Sequence, residues 1–195
     1  DYSNYSNKKF KLLANIDVSE YMKNSDWTPI GTSSKPFLGE FDGNNKTIKG
    51  LRIDRSNKNY VGLFACIKNA EIRNLGLVDV DISGQDYTGA VVGYLDKGKI
   101  KNCFVTGKIS GNNYLGGIVG RVNENSDIEY CFHSGNVEGT GNYVGGIAGR
   151  LNNNNINTIS DCYNIGTIKS DKSSSQYIGG IVGSINSNNY INNCY

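Results

Sequence analysis

The chain has 195 residues, with 20 Lys and Arg against 18 Asp and Glu, one His and a net charge of +2. That length can bury a sizeable core or hold a stack of repeats, and the balanced charge argues neither for nor against an anionic partner. No apolar run is long enough to span a membrane, and 25 Gly beside 2 Pro and 1 Met indicate tight corners rather than helices.

The chain opens on DYSNYSNKKF, which lacks a signal-peptide pattern and reads as the interior of a longer protein. FKLLANIDVS (10–19), DWTPIG (26–31) and FLGEFDGNNKTIKGLRID (37–54) come next as extended segments joined by turns. Residues 1–58 break the later period and are expected to form a strand-rich cap packed on the rest of the chain. Trp27, the one Trp in the chain, is expected as a core residue of that cap.

From residue 59 the chain repeats. Tyr60, Tyr87, Tyr114, Tyr143 and Tyr177 stand 27, 27, 29 and 34 residues apart. They open near-copies such as YLGGIVGR (114–121), YVGGIAGR (143–150) and YIGGIVGS (177–184). Downstream of each lies a second shared segment: IRNLGL, IKNCFVTG, IEYCFHSG, ISDCYNIG and INNCY. Extra residues are confined to two places, in RLNNNNINTI and IKSDKSSSQY, which is the mark of stacked coils. The repeats are placed at 59–84, 85–111, 112–139, 140–170 and 171–195, the last ending abruptly, as if cut from a longer chain. The expected fold is all-β, a parallel β-helix (β-solenoid) of about five coils with three short strands per coil and an atypical N-terminal β cap. Five coils at the ~4.8 Å strand spacing give a rod of roughly 24 Å.

Stacking in register turns equivalent residues into columns. One holds Leu75, Cys103, Cys131, Cys162 and Cys194. Cysteine spacings of 28, 31 and 32 with a single His fit no zinc pattern, so buried, reduced thiols acting as small hydrophobes are expected, with no metal and no cofactor. Cys66 aligns by position with Gly93, Gly120, Gly149 and Gly183 and is expected to face inward. Asn74, Asn102, Tyr130, Asp161 and Asn193 form another column, a partial side-chain ladder holding a bend.

The tyrosine column has two readings. Alternation along one strand puts Tyr114, Gly116 and Ile118 on one face and Leu115, Gly117, Val119 and Arg121 on the other. Because Arg121 and Arg150 should be wet, the tyrosines turn inward. Leu115, Val119, Val144, Ala148, Ile178 and Val182 then form an outward apolar stripe for docking. In the other reading Tyr60, Tyr87, Tyr114, Tyr143 and Tyr177 face outward as an aromatic platform for sugar rings. The glycine pairs Gly116 and Gly117, Gly145 and Gly146, and Gly179 and Gly180 are structural in both. The first of each pair leaves room for the neighbouring ring and the second thins the wall. Lacking a strand-to-helix context, they are not a phosphate loop. Lys97, Lys99 and Lys101 alternate as a solvated strand face. Asp79, Asp81, Asp86, Asp96 and Glu124 do not recur in a way that pairs them for acid–base work.

These residues carry a resemblance. YVGGIAGR, YLGGIVGR and YIGGIVGS resemble the GLUG motif of bacterial surface proteins. The order ANIDVS, WTPIG, FLGEFDGNNKTIKGLRI, VGLFACIKNAEIRNLGL is similar to the non-catalytic N-terminal region of immunoglobulin-A-cleaving zinc metallopeptidases and related adhesin-like proteins. The likeness spans nearly the whole chain. It implies secretion or cell-wall display and a parallel β-helix, and it imports no active site, since His-Glu-x-x-His is absent and His133 stands alone.

Three functions are expected from these readings. The first is a non-catalytic adhesion module or rigid spacer. The second is a substrate-positioning domain of a zinc metallopeptidase whose catalytic part lies elsewhere. The third is a glycan-binding or glycan-cleaving solenoid. The partner is a protein or glycan at the cell surface, or neighbouring domains of the parent chain, with no nucleic acid and no membrane span.

Overall fold

The computed structural model describes residues 6–152, 155–171 and 177–195. Strands stack in parallel throughout, giving a β-solenoid of about six turns. Three faces wind around one core. The coil of residues 99–123 shows the plan. Lys99–Lys101 and Phe104–Gly111 lie in a 13-stranded sheet, Leu115–Gly116 in a four-stranded sheet and Val119–Asn123 in a five-stranded sheet.

The sequence sets the breaks between strands. Asn74, Asn102, Tyr130, Asp161 and Asn193 all take left-handed backbone, with φ between 50° and 53°. Asn and Asp tolerate that region because a short polar side chain can bond locally. Here the bonds run between coils: Asn102 Nδ2 donates to Asn74 Oδ1 at 3.1 Å, Asn74 Nδ2 to Asp42 Oδ1 at 3.0 Å and Asn193 Nδ2 to Asp161 Oδ1 at 3.2 Å. One long strand, Glu71–Gly84, runs through this bend at Asn74, whereas in the next coil the bend at Asn102 separates strands 99–101 and 104–111.

The sixth turn, one more than the expected five, comes from before residue 59. Glu40–Lys49 and Arg52–Arg55 stack on Glu71–Gly84, and the bridges Ile30↔Phe64 and Phe37↔Ile67 continue two columns of the third face. Lys9–Lys11 and Ile16–Asp17 add to the far edge of Glu40–Lys49, and the one-turn helix Ser19–Met22 buries Met22. Trp27 packs partly buried against the core and donates Nε1–H to the Leu63 carbonyl at 3.2 Å.

The core is a set of columns, among them Ile72, Ile100, Ile128, Ile159 and, on the third face, Phe64, Val92, Val119, Ala148. Each fully buried aliphatic side chain contributes about 1.5–3 kcal/mol. The cysteine column lies in this interior with Cys103, Cys131 and Cys162 buried, Cys194 partly so, and all of them free thiols.

Two expectations fail here. The outward apolar stripe does not exist. Leu115, Val119, Val144 and Ala148 are each 0% exposed, and only their last-coil equivalents, Ile178 and Val182, meet solvent. The inference needed one unbroken alternating strand. The chain instead turns a corner at Gly117–Ile118 between two sheets, so residues on both sides of it point inward. The register of Cys66 is also displaced. It pairs with Tyr94, and Ala65 sits beside Gly93, because that corner is one residue shorter in the first repeat: Phe64, not Ala65, aligns with Val92.

That corner explains the glycine pairs in place of the ring-clearance and wall-thinning roles. A Cβ on Gly116 would strike the Val119 carbonyl oxygen across the turn, and one on Gly117 would strike the Gly146 carbonyl and the His133 ring. Gly117 faces buried His133 and Gly146 faces Asn164, whereas the corresponding coil with Ala90 carries Val105 in that column.

Candidate functional site

The tyrosine column faces outward. Tyr60, Tyr87, Tyr114 and Tyr143 have φ of 64°, 58°, 57° and 65°. The residue after each, Thr88, Leu115 and Val144, points the other way and enters the core. For a bulky residue this conformation costs about 1–2 kcal/mol. Hydrogen bonds between coils hold it: Asn59 Oδ1 accepts from the Asp86 amide at 3.2 Å, Asp86 Oδ1 from the Asn113 amide at 3.0 Å, and Asn113 Oδ1 from the Asn142 amide at 2.9 Å. The inward reading of the tyrosines is thereby corrected; it carried alternation from Arg121 back to Leu115 through the corner at Gly117–Ile118.

The rings stack on one another. Centroids from Tyr60 through Tyr177 are 4.8, 4.7, 5.0 and 4.9 Å apart, with interplanar angles of 6°, 2°, 10° and 12°. Parallel rings this close cannot lie side by side as tiles; their faces cover each other. The column consequently offers solvent its edges and phenolic hydroxyls, not the flat platform expected for sugar rings. Among the described residues no ladder hydroxyl has a protein hydrogen-bond partner.

Beside the ladder runs the column Cys66, Tyr94, Arg121, Arg150, Ser184. Tyr94 stands edge-on to Tyr60 and Tyr87, at 6.1 Å from each. The Arg121 guanidinium lies 5.3 Å from the Tyr114 ring and 5.8 Å from Tyr87, and that of Arg150 lies 4.7 Å from Tyr143. Burial raises the Tyr60 and Tyr94 phenols above their ordinary range and pushes the Cys66 thiol up to about 12, leaving it unreactive. At the N-terminal end, a cavity of about 220 Å³ is lined by Ser33, Pro36, Tyr60, Cys66, Tyr94 and Asp96, among others.

A second ladder escaped the sequence reading. Phe104, Phe132, Tyr163 and Tyr195 stack at 5.1, 4.9 and 5.4 Å on the 13-stranded sheet. Its signal was the aromatic residue following each cysteine of the repeat. Phe104 lies over Gly76, where any side chain would meet its ring.

Four of the five candidate acids are engaged individually, Asp79 with Lys49 at 3.9 Å. Asp86 accepts from Asn112 and Asn113, Asp96 from Lys68 and Asn123, and Glu124 pairs with Lys97. Lys99 and Lys101 pair with Asp127 and Glu129 one coil away. Among the described residues no group of three His, Cys, Asp or Glu side chains is placed to hold a metal ion, and no helix is long and apolar enough to cross a membrane.

Residues 84–110 match the sequence model of the GLUG motif. Over 71 residues, 35% of this chain and 8% of the relative, the sequence is 39% identical to a protein named as a candidate Gly-rich membrane protein of Evansella cellulosilytica. Over 112 residues, 53% of this chain and 1% of the relative, it is 31% identical to halomucin of Haloquadratum walsbyi. The chain thus spans a small fraction of these relatives. Among solved structures, the fold is shared with a candidate immunoglobulin A1 protease from Bacteroides ovatus at a TM-score of 0.71 and 23% identity, covering 96% of this chain and 68% of that one.

Proposed function

We propose that this GLUG-bearing solenoid is a non-catalytic interaction module of a secreted or cell-surface protein, a rigid rod that presents its tyrosine ladder to a partner. The observation that carries the reading is the ladder itself. Four tyrosines sit in strained left-handed backbone, and their hydroxyls, without a partner among the described residues, point away from the core. The names of the relatives, a membrane protein and a halomucin, support a surface location. The test is retention of beads coated with the protein on mucin- and matrix-coated surfaces, with a Tyr87→Ala/Tyr114→Ala variant whose melting temperature is checked. Reduced retention supports the reading; equal retention of variant and parent sinks it.

The structural neighbour named for an immunoglobulin A1 protease favours a second reading, a substrate-positioning domain beside a peptidase. It requires the same ladder variants to slow cleavage of whole protein substrates while sparing short peptides.

A further inference from the structure

The ladder and the column beside it, with its arginine pair, form one strip, and its chemistry specifies a ligand more narrowly than interaction in general. Each stacked ring turns its edge to solvent, and an aromatic edge carries the positive lobe of the ring quadrupole. The rings of Tyr60, Tyr87, Tyr114, Tyr143 and Tyr177 repeat at 4.7–5.0 Å, and their hydroxyls have no acceptor among the described residues. Arg121 and Arg150 are register partners on adjacent strands, so two like charges stand one coil apart.

Tyrosine rings, and no carboxylate among the described residues, stand against these charges. Arg52, Arg55 and Arg73 each pair with a carboxylate, whereas among the described residues no ion pair includes Arg121 or Arg150. Both Nε atoms are buried without an acceptor, and beside the ring contacts the one side-chain hydrogen bond among the described residues is a long 3.5 Å bond from Arg150 Nη2 to Asn186 Oδ1. A guanidinium already stripped of part of its water, and still without a counter-charge, binds an anion at reduced desolvation cost.

We infer that the strip formed by Tyr87, Tyr114, Tyr143, Arg121 and Arg150 binds a linear acidic glycan, its carboxylate or sulfate groups set against the guanidinium pair and its hydroxyls against the phenols. This rests on the interaction-module reading above. A peptide would gain no main-chain hydrogen bonds here, since the strands of these inner coils are paired on both sides. Single-stranded nucleic acid needs open ring faces for its bases, and the stack closes them. A polymer with an anionic group at regular intervals matches a donor array of fixed repeat.

The test is titration calorimetry on the whole chain with five probes: a sulfated heparin-derived dodecasaccharide, a galacturonate dodecasaccharide, neutral maltododecaose, a poly-Glu peptide and oligo-dT. The variants are R121Q/R150Q and the ring-preserving Y87F/Y114F/Y143F, each checked by melting temperature. One or both acidic glycans should bind, with affinity falling as salt rises, about tenfold or more weaker in R121Q/R150Q and severalfold weaker in the triple Phe variant. Binding of only the sulfated or only the uronate probe identifies which anion is read. Equal binding of maltododecaose, stronger binding of poly-Glu or oligo-dT, unchanged affinity in R121Q/R150Q, or no binding by the folded protein each overturns the inference. If bead retention depends on the tyrosines while neither acidic glycan binds, the interaction module stands and the acidic-glycan inference alone falls.

Discussion

Val119 and Val182 occupy one column of the third face, two coils apart, and offer a direct measurement of which way that face points. Val119 is 0% exposed, with Val92 and Ala148 as its neighbours in adjacent coils; Val182 is only partly buried. Val119→Ala removes two methylene equivalents at about 0.8 kcal/mol each, and incomplete collapse of the cavity brings the loss to about 2 kcal/mol. Val182→Ala removes the same atoms from a site that water already reaches, so the loss should stay below about 1 kcal/mol. For a chain of this size, Val119→Ala should lower the melting temperature by roughly 4–8 °C. Urea unfolding followed by circular dichroism gives both values, provided the slope with denaturant is unchanged. Equal losses at the two positions, or a neutral Val119→Ala, would refute the inward assignment of Leu115, Val119, Val144 and Ala148 and revive the outward stripe.

Gly117→Ala should destabilise by more than about 1 kcal/mol, because the new methyl meets the Gly146 carbonyl and the His133 ring; His133→Val in the same chain should recover part of that loss on thermal melting. Burial holds the His133 imidazole below its ordinary range, its Nδ1 paired with Asn164 Oδ1 at 2.9 Å and its Nε2 without a partner. The folded chain therefore binds fewer protons than the unfolded one below about pH 6.5. Stability should be fully present above that pH and decline as pH falls toward the folded value, and a His133→Val variant should flatten this part of the pH–stability curve. A thiol reagent under native conditions should label Cys194, which is partly exposed, well before Cys66, Cys103, Cys131 and Cys162, and comparable rates at all five would contradict their burial.

The coil period, the turn positions and the membership of most columns were legible in the sequence because a solenoid repeats one local solution. Asn74, Asn102 and Asn193 recur where the backbone must be left-handed, and the cysteines recur where Leu75 shows an apolar group is wanted. The orientation of the tyrosine face was not legible. Period-two alternation carries information only along an uninterrupted strand, and here a sheet-to-sheet corner at Gly117–Ile118 separates Leu115 from Arg121. The slip at Cys66 stayed hidden for a related reason, since one residue lost inside a corner leaves every recognisable motif in place.

The sequence by itself determined a stack of parallel coils, its bends and its apolar columns, because these depend on residues close in the chain and on their recurrence. Only the tertiary structure decided what the outer surface is. Tyr114 touches Tyr87 and Tyr143 from 27 and 29 residues away, and Arg121 meets its rings from a different sheet. Whether those rings show faces or edges depends on the spacing between coils and the angle of the corner, quantities set by packing between distant segments.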